Sequence, residues 1–248
     1  MERQLLIYLI FIFALSGCQT TDTPTSSIEQ KIEKSEKLIE TEIQYTNIWD
    51  YIVQNSNTEN DSYLDDMTLE FINKHLKNKD NFDEYLSNSY FFIYYVVQEL
   101  EAANLPVELA LIPFIESNYD PFSISPSGAV GLWQFMPKTG RFYNLEKSWW
   151  NEDRHDPYRS THAAIGYFKY LFDRFDNDIY LALAAYNAGP TYLDRHINKN
   201  KRKNLNTDFW SLNLNNQVTN YIPKYVALRE IIFNPDKYGV KLPEIPFE

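Results

Sequence analysis

A single glutamate at the end of an apolar segment is the residue of this sequence best suited to acid–base chemistry. In ELALIPFIES, the residues Leu109, Ile112 and Glu116 follow the spacing i, i+3 and i+7 and share one face of a predicted helix. Burial on an apolar face favours the uncharged carboxyl and raises its pKa, which suits a general acid that protonates a glycosidic oxygen. Taken alone, the pattern agrees better with a plainer role, in which Glu116 caps the helix or pairs with a local backbone group.

The stretch that follows combines groups suited to binding a sugar. Residues 125–136 contain two glycines, which allow the backbone to approach a ligand closely, together with the hydroxyls of Ser125 and Ser127 and the amide of Gln134. These groups are suited to hydrogen bonds with sugar hydroxyls and N-acetyl groups, while the neighbouring Trp and Phe belong either to the core or to a groove. A structural turn is the alternative for this segment.

A second catalytic carboxyl is not evident from the sequence. Ordinary glycosidases use two carboxyl groups, and the nearest further candidates are Asp120, Asp153 and Asp156. Each of them also fits a structural role: Asp120 precedes a proline as a turn residue, and Asp153 or Asp156 is expected to pair with Arg154.

No metal site and no cofactor are expected. The chain has one cysteine and four histidines, and the histidines show no paired ligand spacing. His155 and His162 are expected on the solvated surface or at a helix start. The basic run Lys199 to Lys203 fits a solvated loop, with contact to anionic peptides as the alternative. The two remaining histidines are His75 and His196.

Helices must position these groups, because hydrophobic residues recur mainly with helical spacing and the alternation typical of strands is nearly absent. The predicted fold class is therefore mainly α. Ser160 and Asp178 are expected as N-caps and Pro223 as a first-turn residue. Gly189 and Pro190 are expected to stop a helix, and 118–137 is expected to be irregular. The predicted helices are 28–55, 66–77, 81–103, 106–117, 161–175, 178–188 and 223–233.

The amino terminus has the features of an export signal. Arg3 precedes an apolar run that is shorter than a membrane-spanning helix, and small residues lead to Cys18. The ending Leu-Ser-Gly-Cys resembles a bacterial lipobox, in which the cysteine is acylated; an ordinary signal peptide with an incidental cysteine is the alternative. In that resemblance, Gln19 favours anchoring to the outer membrane, facing the periplasm. The polar residues 19–27 are expected to form a flexible tether.

Composition excludes some classes of partner. The formal net charge is −11, from 23 Lys and Arg against 34 Asp and Glu. Because proteins that bind nucleic acid need basic surface, no nucleic-acid partner is expected. The 19 Tyr, 16 Phe and 5 Trp favour a large aromatic core, and some of these rings are of the kind that lines sugar-binding grooves.

Four short motifs follow one another along the chain: Glu116-Ser117, GLWQFMP at 131–137, AYNAG at 185–189 and YIPK at 221–224. Together they resemble the lytic transglycosylases of the goose-type-lysozyme-like superfamily, the SLT group. The segments LPVELALIPFIESNYDP and DPYRSTHAAIGYF look most similar to the membrane-bound lytic murein transglycosylase D group, and the resemblance covers about residues 81–233. It implies a lysozyme-like α+β fold with little strand and cleavage of peptidoglycan glycan strands.

The resemblance also implies roles for matched residues. Glu116 would be the single catalytic residue, first as acid and then as base, and the product would be a 1,6-anhydro-N-acetylmuramic acid end. Tyr221 would orient Glu116 by a hydrogen bond. Tyr186 and Asn187 would close the groove, although a core tyrosine and a helix C-cap are the alternatives. The glycan would be bound by Ser125, Ser127, Gln134 and the backbone of Met136.

Two departures from the group affect these expectations. Gln217 stands where the family often has Glu, so this position keeps hydrogen bonding but lacks the charge that a Glu would carry. The D group also often carries C-terminal wall-binding repeats, and none is recognised here, so wall affinity is expected from the groove and the lipid anchor. The expected domains are 1–17 signal peptide, 18–27 lipidated Cys18 and tether, 28–103 helical accessory region, 104–233 catalytic domain and 234–248 tail.

Two other functions compete with this interpretation. A hydrolase of the lysozyme kind would use water as the nucleophile, and its product would be one water heavier than the anhydro product. A non-catalytic wall-binding lipoprotein would keep the groove as a scaffold. Intact Glu116, Gln134, Asn187 and Tyr221 argue against a decayed site, whereas Gln217 leaves some room for it.

Overall fold

The computed structural model describes residues 45–56, 64–77 and 79–247. Helices dominate this part of the chain, and its only strand-like pairing consists of isolated β-bridges. The mainly α class is confirmed. The predicted signal peptide, the acylated Cys18, the tether and the first part of the helix predicted from residue 28 lie outside the described residues. No helix among the described residues is long and apolar enough to cross a bilayer.

The helices fall into three groups along the chain. The first group is α1 (Ile48–Asn55), α2 (Asp66–Leu76), α3 (Lys79–Ser87) and α4 (Ile93–Ala102). The second is a 3₁₀ turn at Val107–Leu111, then α5 (Ile112–Ser117), α6 (Pro137–Phe142), a 3₁₀ turn at Asp153–His155, α7 (Pro157–Arg174) and α8 (Ile179–Ala188). The third is α9 (Pro190–Lys201), a 3₁₀ turn at Phe209–Ser211, α10 (Asn216–Thr219), α11 (Tyr221–Phe233) and α12 (Pro235–Tyr238).

Side-chain caps start several of these helices. Asp178 accepts a hydrogen bond from the backbone N–H of Leu181 at 2.9 Å and begins α8, as predicted. The predicted cap of α7 at Ser160 is wrong. Asp156 caps this helix by accepting from two backbone N–H groups, and Pro157 occupies the first turn. Ser160 lies inside the helix and donates to the carbonyl of Asp156.

Helix α9 was not expected, because Gly189 and Pro190 were interpreted only as a stop. Gly189 ends α8 at a φ of +89°, and Pro190 then begins the next helix at once. The basic run predicted as a loop is consequently helical as far as Lys201. A proline at the first helical position can thus mark both the end of one helix and the start of another.

The helix predicted over 81–103 is interrupted between Ser87 and Ile93. Ser89 is fully buried there, and its hydroxyl donates to the carbonyl of Leu86 at 2.8 Å, a local bond that competes with helical pairing. The helix predicted over 106–117 begins as a 3₁₀ turn and becomes α-helical only at Ile112.

One hydrophobic core joins all three groups of helices. Helix α2 packs against α11, and α4 packs against the Val107–Leu111 turn. Residues after α12 return to α1, where the Trp49 indole N–H donates to the carbonyl of Pro243 at 2.8 Å. The described residues from Tyr45 onward therefore form one compact unit. The predicted boundary between an accessory region and a catalytic domain at 103/104 stays a prediction.

Candidate active site

Glu116 lies in the last turn of α5, at a helix end with a tightly constrained backbone. Asn118 ends the helix in the left-handed conformation with a φ of 57°, and Tyr119 follows with a φ of 59°. The Tyr119 hydroxyl is buried and donates to the carbonyl of Ala110 at 2.7 Å. Ser117 also donates to the carbonyl of Leu132, which ties the end of α5 to the loop beyond it.

The partner of Glu116 comes from a distant part of the chain. The Tyr221 hydroxyl, at the start of α11, donates to Glu116 Oε1 over 2.5 Å. The alternative of a local backbone pairing for Glu116 is therefore not what the structure shows. Burial raises the pKa of Glu116 to about 7, against the opposing effects of the Tyr221 hydrogen bond and the Lys224 ammonium. Burial and the nearby Glu116 raise the pKa of Tyr221, so its hydroxyl stays protonated and can donate.

The loop between α5 and α6 is folded back on itself. Val130 pairs with both Ile124 and Phe135 in antiparallel bridges. Gly131 has a φ of +84°, and a Cβ at this position would lie 1.7 Å from the carbonyl oxygen of Arg154. Glycine is therefore required by both backbone conformation and space.

The two predicted serines face the same space, at the tip of this loop. The Ser125 and Ser127 hydroxyls lie 2.9 Å apart, and Ser125 also accepts from the backbone N–H of Ala129. Gln134 has a φ of 49°, and its side-chain amide donates to the carbonyls of Ser123 and Gly131. The nitrogen of that amide thus holds the loop together and is engaged by the protein.

Tyr186 and Asn187 lie at the end of α8, on the opposite side of the space. The Tyr186 hydroxyl donates to the carbonyl of Trp133 at 2.7 Å, and its ring stacks on Phe168. The expectation of a core tyrosine with a satisfied hydroxyl is thus met, and the ring still lines the groove. The predicted C-cap role of Asn187 is wrong, since Gly189 ends the helix. Asn187 Oδ1 is buried and has no hydrogen-bond partner among the described residues.

These groups enclose an open groove of about 420 Å³. It brings together Glu116 and every predicted glycan-binding residue except Tyr221, which lies behind Glu116 and contacts it. Trp133 is fully buried in the core, whereas Phe135 is buried and also lines the groove. The lining residues that were predicted are Glu116, Ser125, Ser127, Gln134, Met136, Tyr186 and Asn187. Gln217, Thr139 and Tyr167 also line the groove and were not predicted to do so.

Arg154 has a structural role, and its predicted acidic partners are wrong. Its buried guanidinium makes a two-point contact with Glu152, at 2.7 and 2.9 Å, and not with Asp153 or Asp156 as expected. It also donates to the carbonyls of Gly128 and Phe135, at 3.1 and 2.8 Å. The guanidinium therefore supports the groove loop from beneath. Nothing in the run NEDRHDP marks which acid would pair with the arginine.

The remaining acidic candidates have structural partners. Asp120 accepts from the backbone N–H of Phe122 in a turn, as expected. Asp153 is buried and pairs with Arg159, and Asp156 caps α7. Among the groove-lining residues that the structure describes, Glu116 is the only acid. The described residues contain no group of three acidic, histidine or cysteine side chains placed to hold a metal ion.

The fold and site define a mainly helical protein with one protonatable carboxyl in an open groove. Residues 95–209, just under half of the chain, match the family described as the Transglycosylase SLT domain. This match agrees with the SLT group that the four motifs indicated.

Individual relatives extend the comparison beyond that domain. The chain is 38% identical over 170 residues to membrane-bound lytic murein transglycosylase D of Escherichia coli K12, covering 68% of this chain and 38% of that protein. It is 33% identical over 108 residues to membrane-bound lytic murein transglycosylase F of Alcanivorax borkumensis, covering 41% of this chain and 22% of that protein. The lytic transglycosylase Slt of Pseudomonas aeruginosa superposes with a TM-score of 0.48 at 16% identity, over 78% of this chain and 33% of that structure. The chain thus spans well under half the length of each of these three proteins.

Proposed function

We propose that this protein is a lytic transglycosylase that cleaves the glycan strands of peptidoglycan. The observation that carries the proposal is the position of Glu116: one carboxyl with a pKa of about 7, in an open groove of an SLT-family domain. Near neutral pH, the protonated and the charged form of a carboxyl with this pKa are both populated, so the group can donate a proton and later accept one. The relatives named as murein transglycosylases support the same substrate.

In the proposed reaction, Glu116 protonates the oxygen between N-acetylmuramic acid and N-acetylglucosamine. The bond from the muramoyl C1 to that oxygen breaks, the N-acetylglucosamine end leaves with a hydroxyl, and the muramoyl N-acetyl group stabilises the positive charge. The Glu116 carboxylate then takes the proton of the muramoyl 6-hydroxyl, and the oxygen of that hydroxyl bonds to C1 of the same sugar. Because this nucleophile belongs to the same sugar, proximity lowers the barrier without a second protein carboxyl.

Other groove residues have distinct proposed roles. Ser125, Ser127 and the Met136 backbone bind the sugars on one side, and Asn187 on the other side offers a buried carbonyl oxygen that lacks a protein partner. Gln134 contributes mainly by ordering the loop, because its amide nitrogen is engaged there. Tyr221 holds the Glu116 carboxyl in place.

Digestion of purified peptidoglycan tests the proposal. The wild-type protein should release muropeptides one water lighter than the corresponding hydrolysis products, as identified by mass spectrometry. Glu116→Gln should still bind peptidoglycan and lose cleavage, whereas Glu70→Gln, which changes an exposed glutamate of α2, should cleave like the wild type. Products of hydrolysis would indicate a lysozyme-like hydrolase, and no cleavage by the wild type would indicate a wall-binding protein. Equal turnover by Glu116→Gln and the wild type would refute the assignment of Glu116 as the catalytic residue.

We further propose that the protein acts in the bacterial cell envelope, attached by an acylated Cys18 to the outer membrane on its periplasmic side. The Leu-Ser-Gly-Cys sequence and the membrane-bound relatives support this location. Mass spectrometry of the mature amino-terminal peptide should detect acyl chains on Cys18, and an unmodified cysteine would contradict the anchor.

A further inference from the structure

Two adjacent tryptophans project into solvent from a turn between α6 and α7. The exposed fractions of Trp149 and Trp150 are 89% and 71%, and the two rings meet edge to face with centroids 4.7 Å apart. Indoles are among the largest apolar side chains, and proteins ordinarily bury most of their surface. A pair left open to solvent indicates a surface that binds something.

The turn that carries the indoles is well ordered by hydrogen bonds. The Ser148 backbone N–H donates to the carbonyl of Asn151 at 2.7 Å, and the Asn151 N–H donates back to the Ser148 hydroxyl. The Asn151 side chain donates to Asp153, and Lys147 forms an ion pair with Glu152 at 3.2 Å across the base of the turn. The tryptophans are thus displayed on a constrained backbone.

Arg154 joins this turn to the candidate active site. Its guanidinium binds Glu152, the last residue of the turn, and the same group donates to the carbonyls of Gly128 and Phe135 in the groove loop. One buried side chain therefore connects the base of the tryptophan turn to the wall of the groove.

Aromatic rings also lie between the two regions on the solvent side. The turn borders an open cavity of about 500 Å³ that His155 also lines. The ring centroids of His155 and Phe122 lie 5.8 Å apart. Phe122 is 73% exposed and lies three residues before Ser125. The aromatic surface thus runs from the tryptophan turn towards the loop that carries the groove serines.

We propose that Trp149 and Trp150 form a second glycan-binding surface, which binds sugars of the same strand beyond those in the groove. This inference rests on the proposed function. Sugar rings have an apolar face of C–H groups and a polar rim, so an indole can cover the face while the rim stays hydrated. The turn also provides Asn151 and Lys147 at its edge for polar contacts.

The charge of this region favours a glycan over a membrane surface. Surfaces that bind anionic lipid combine aromatic residues with several basic ones. Here the cavity is bordered by Lys147 together with the acidic Glu152 and Asp156, and the chain carries a net charge of −11.

The experiment compares long and short substrates with the double variant Trp149→Ala/Trp150→Ala. For long glycan strands the KM should rise about tenfold, which corresponds to a loss of about 1.4 kcal/mol for the two aromatic contacts together. The kcat on long strands should stay unchanged, as should the turnover of a tetrasaccharide, which serves as the short substrate for the groove alone. Trp210→Ala is the control, because it removes another half-exposed indole, next to Tyr180.

Each result is distinguishable from failure of the proposed function. Absence of cleavage by the wild type would refute the enzyme itself, whereas an unchanged ratio of long-strand to short-fragment activity would refute only the second surface. An equal loss on both substrates would also overturn it, because the tryptophans would then be acting on the groove. Binding to phosphatidylglycerol vesicles and to glycan strands distinguishes a lipid surface from a glycan surface. If the double variant loses vesicle binding, and if adding the two substitutions to Glu116→Gln leaves strand binding unchanged, the surface binds lipid instead.

Discussion

At the scale of single residues, the electrostatics of Glu116 depend on contacts that sequence spacing does not reveal. The sequence indicated an apolar environment for this carboxyl, and the structure adds two groups that favour its charged form, Tyr221 and Lys224. Both come from α11, more than a hundred residues away along the chain. Periodicity within α5 could not have identified them, whereas the motif resemblance did imply the tyrosine.

Removal of the Tyr221 hydroxyl should move the pH profile of the enzyme. The hydroxyl stabilises the Glu116 carboxylate, so Tyr221→Phe should raise the pKa of Glu116 above about 7. Because the first step needs the protonated acid, kcat/KM of the wild type should fall above pH 7, and this fall should begin at a higher pH in the variant. The rate at the optimum should also decrease, since the carboxyl loses its orienting contact.

The pH profile also separates this role from general destabilisation. Tyr180→Phe is a suitable control because it removes a buried hydroxyl in α8 that has no hydrogen-bond partner among the described residues. That variant should keep the wild-type profile. A Tyr221→Phe profile with an unmoved alkaline limb would show that the hydroxyl does not tune Glu116.

At the scale of elements, local signals predicted helices better than their interruptions. Caps such as Asp178 act through neighbouring residues and were therefore visible in the sequence. The break before Ile93 depends on burial of Ser89, and the pairing of Arg154 with Glu152 depends on the path of a whole loop. The irregular backbone before α6 was expected from its Pro, Gly and Ser content, but its folding against Arg154 was not.

Gly131 provides a test of how closely that loop must approach Arg154. A methyl group at this position would lie 1.7 Å from the Arg154 carbonyl oxygen, so Gly131→Ala should displace the loop and reduce cleavage at least tenfold, with a loss of stability on the order of several kcal/mol. Gly128 has a nearly identical φ of +85° and nothing within 4 Å of the added carbon. Gly128→Ala should therefore cost only about 1–2 kcal/mol, from backbone strain alone.

Urea unfolding and peptidoglycan digestion of the two alanine variants measure this difference. The contrast isolates steric contact from backbone conformation, because both glycines lie in the same loop with similar φ angles. Equal stability and activity of the two variants would show that close packing on Arg154 is not what orders the groove wall.

At the scale of the whole molecule, one core couples the amino-terminal helices to the site. Helix α2 lies against α11, whose first residue, Tyr221, contacts Glu116. The purpose of the helices before residue 103 was not evident from the sequence, because their partners are distant along the chain. Their packing supports the helix that delivers the partner of the candidate acid.

The buried carboxyl should make the stability of the whole protein depend on pH. Unfolding returns Glu116 from a pKa of about 7 to its ordinary value of 4.5, so the unfolded chain binds fewer protons between these values and stability falls as pH rises through this range. Glu116→Gln removes this cost. The free energy of unfolding of the variant should match that of the wild type near pH 4.5 and exceed it above pH 7. The difference should be at most about 3 kcal/mol, because the Glu116 side chain is partly exposed. Urea unfolding of both proteins from pH 5 to 8.5 measures the difference, with Glu70→Gln as the exposed control. A Glu116→Gln protein no more stable than the wild type at pH 8.5 would mean that the folded protein does not penalise the charged carboxyl.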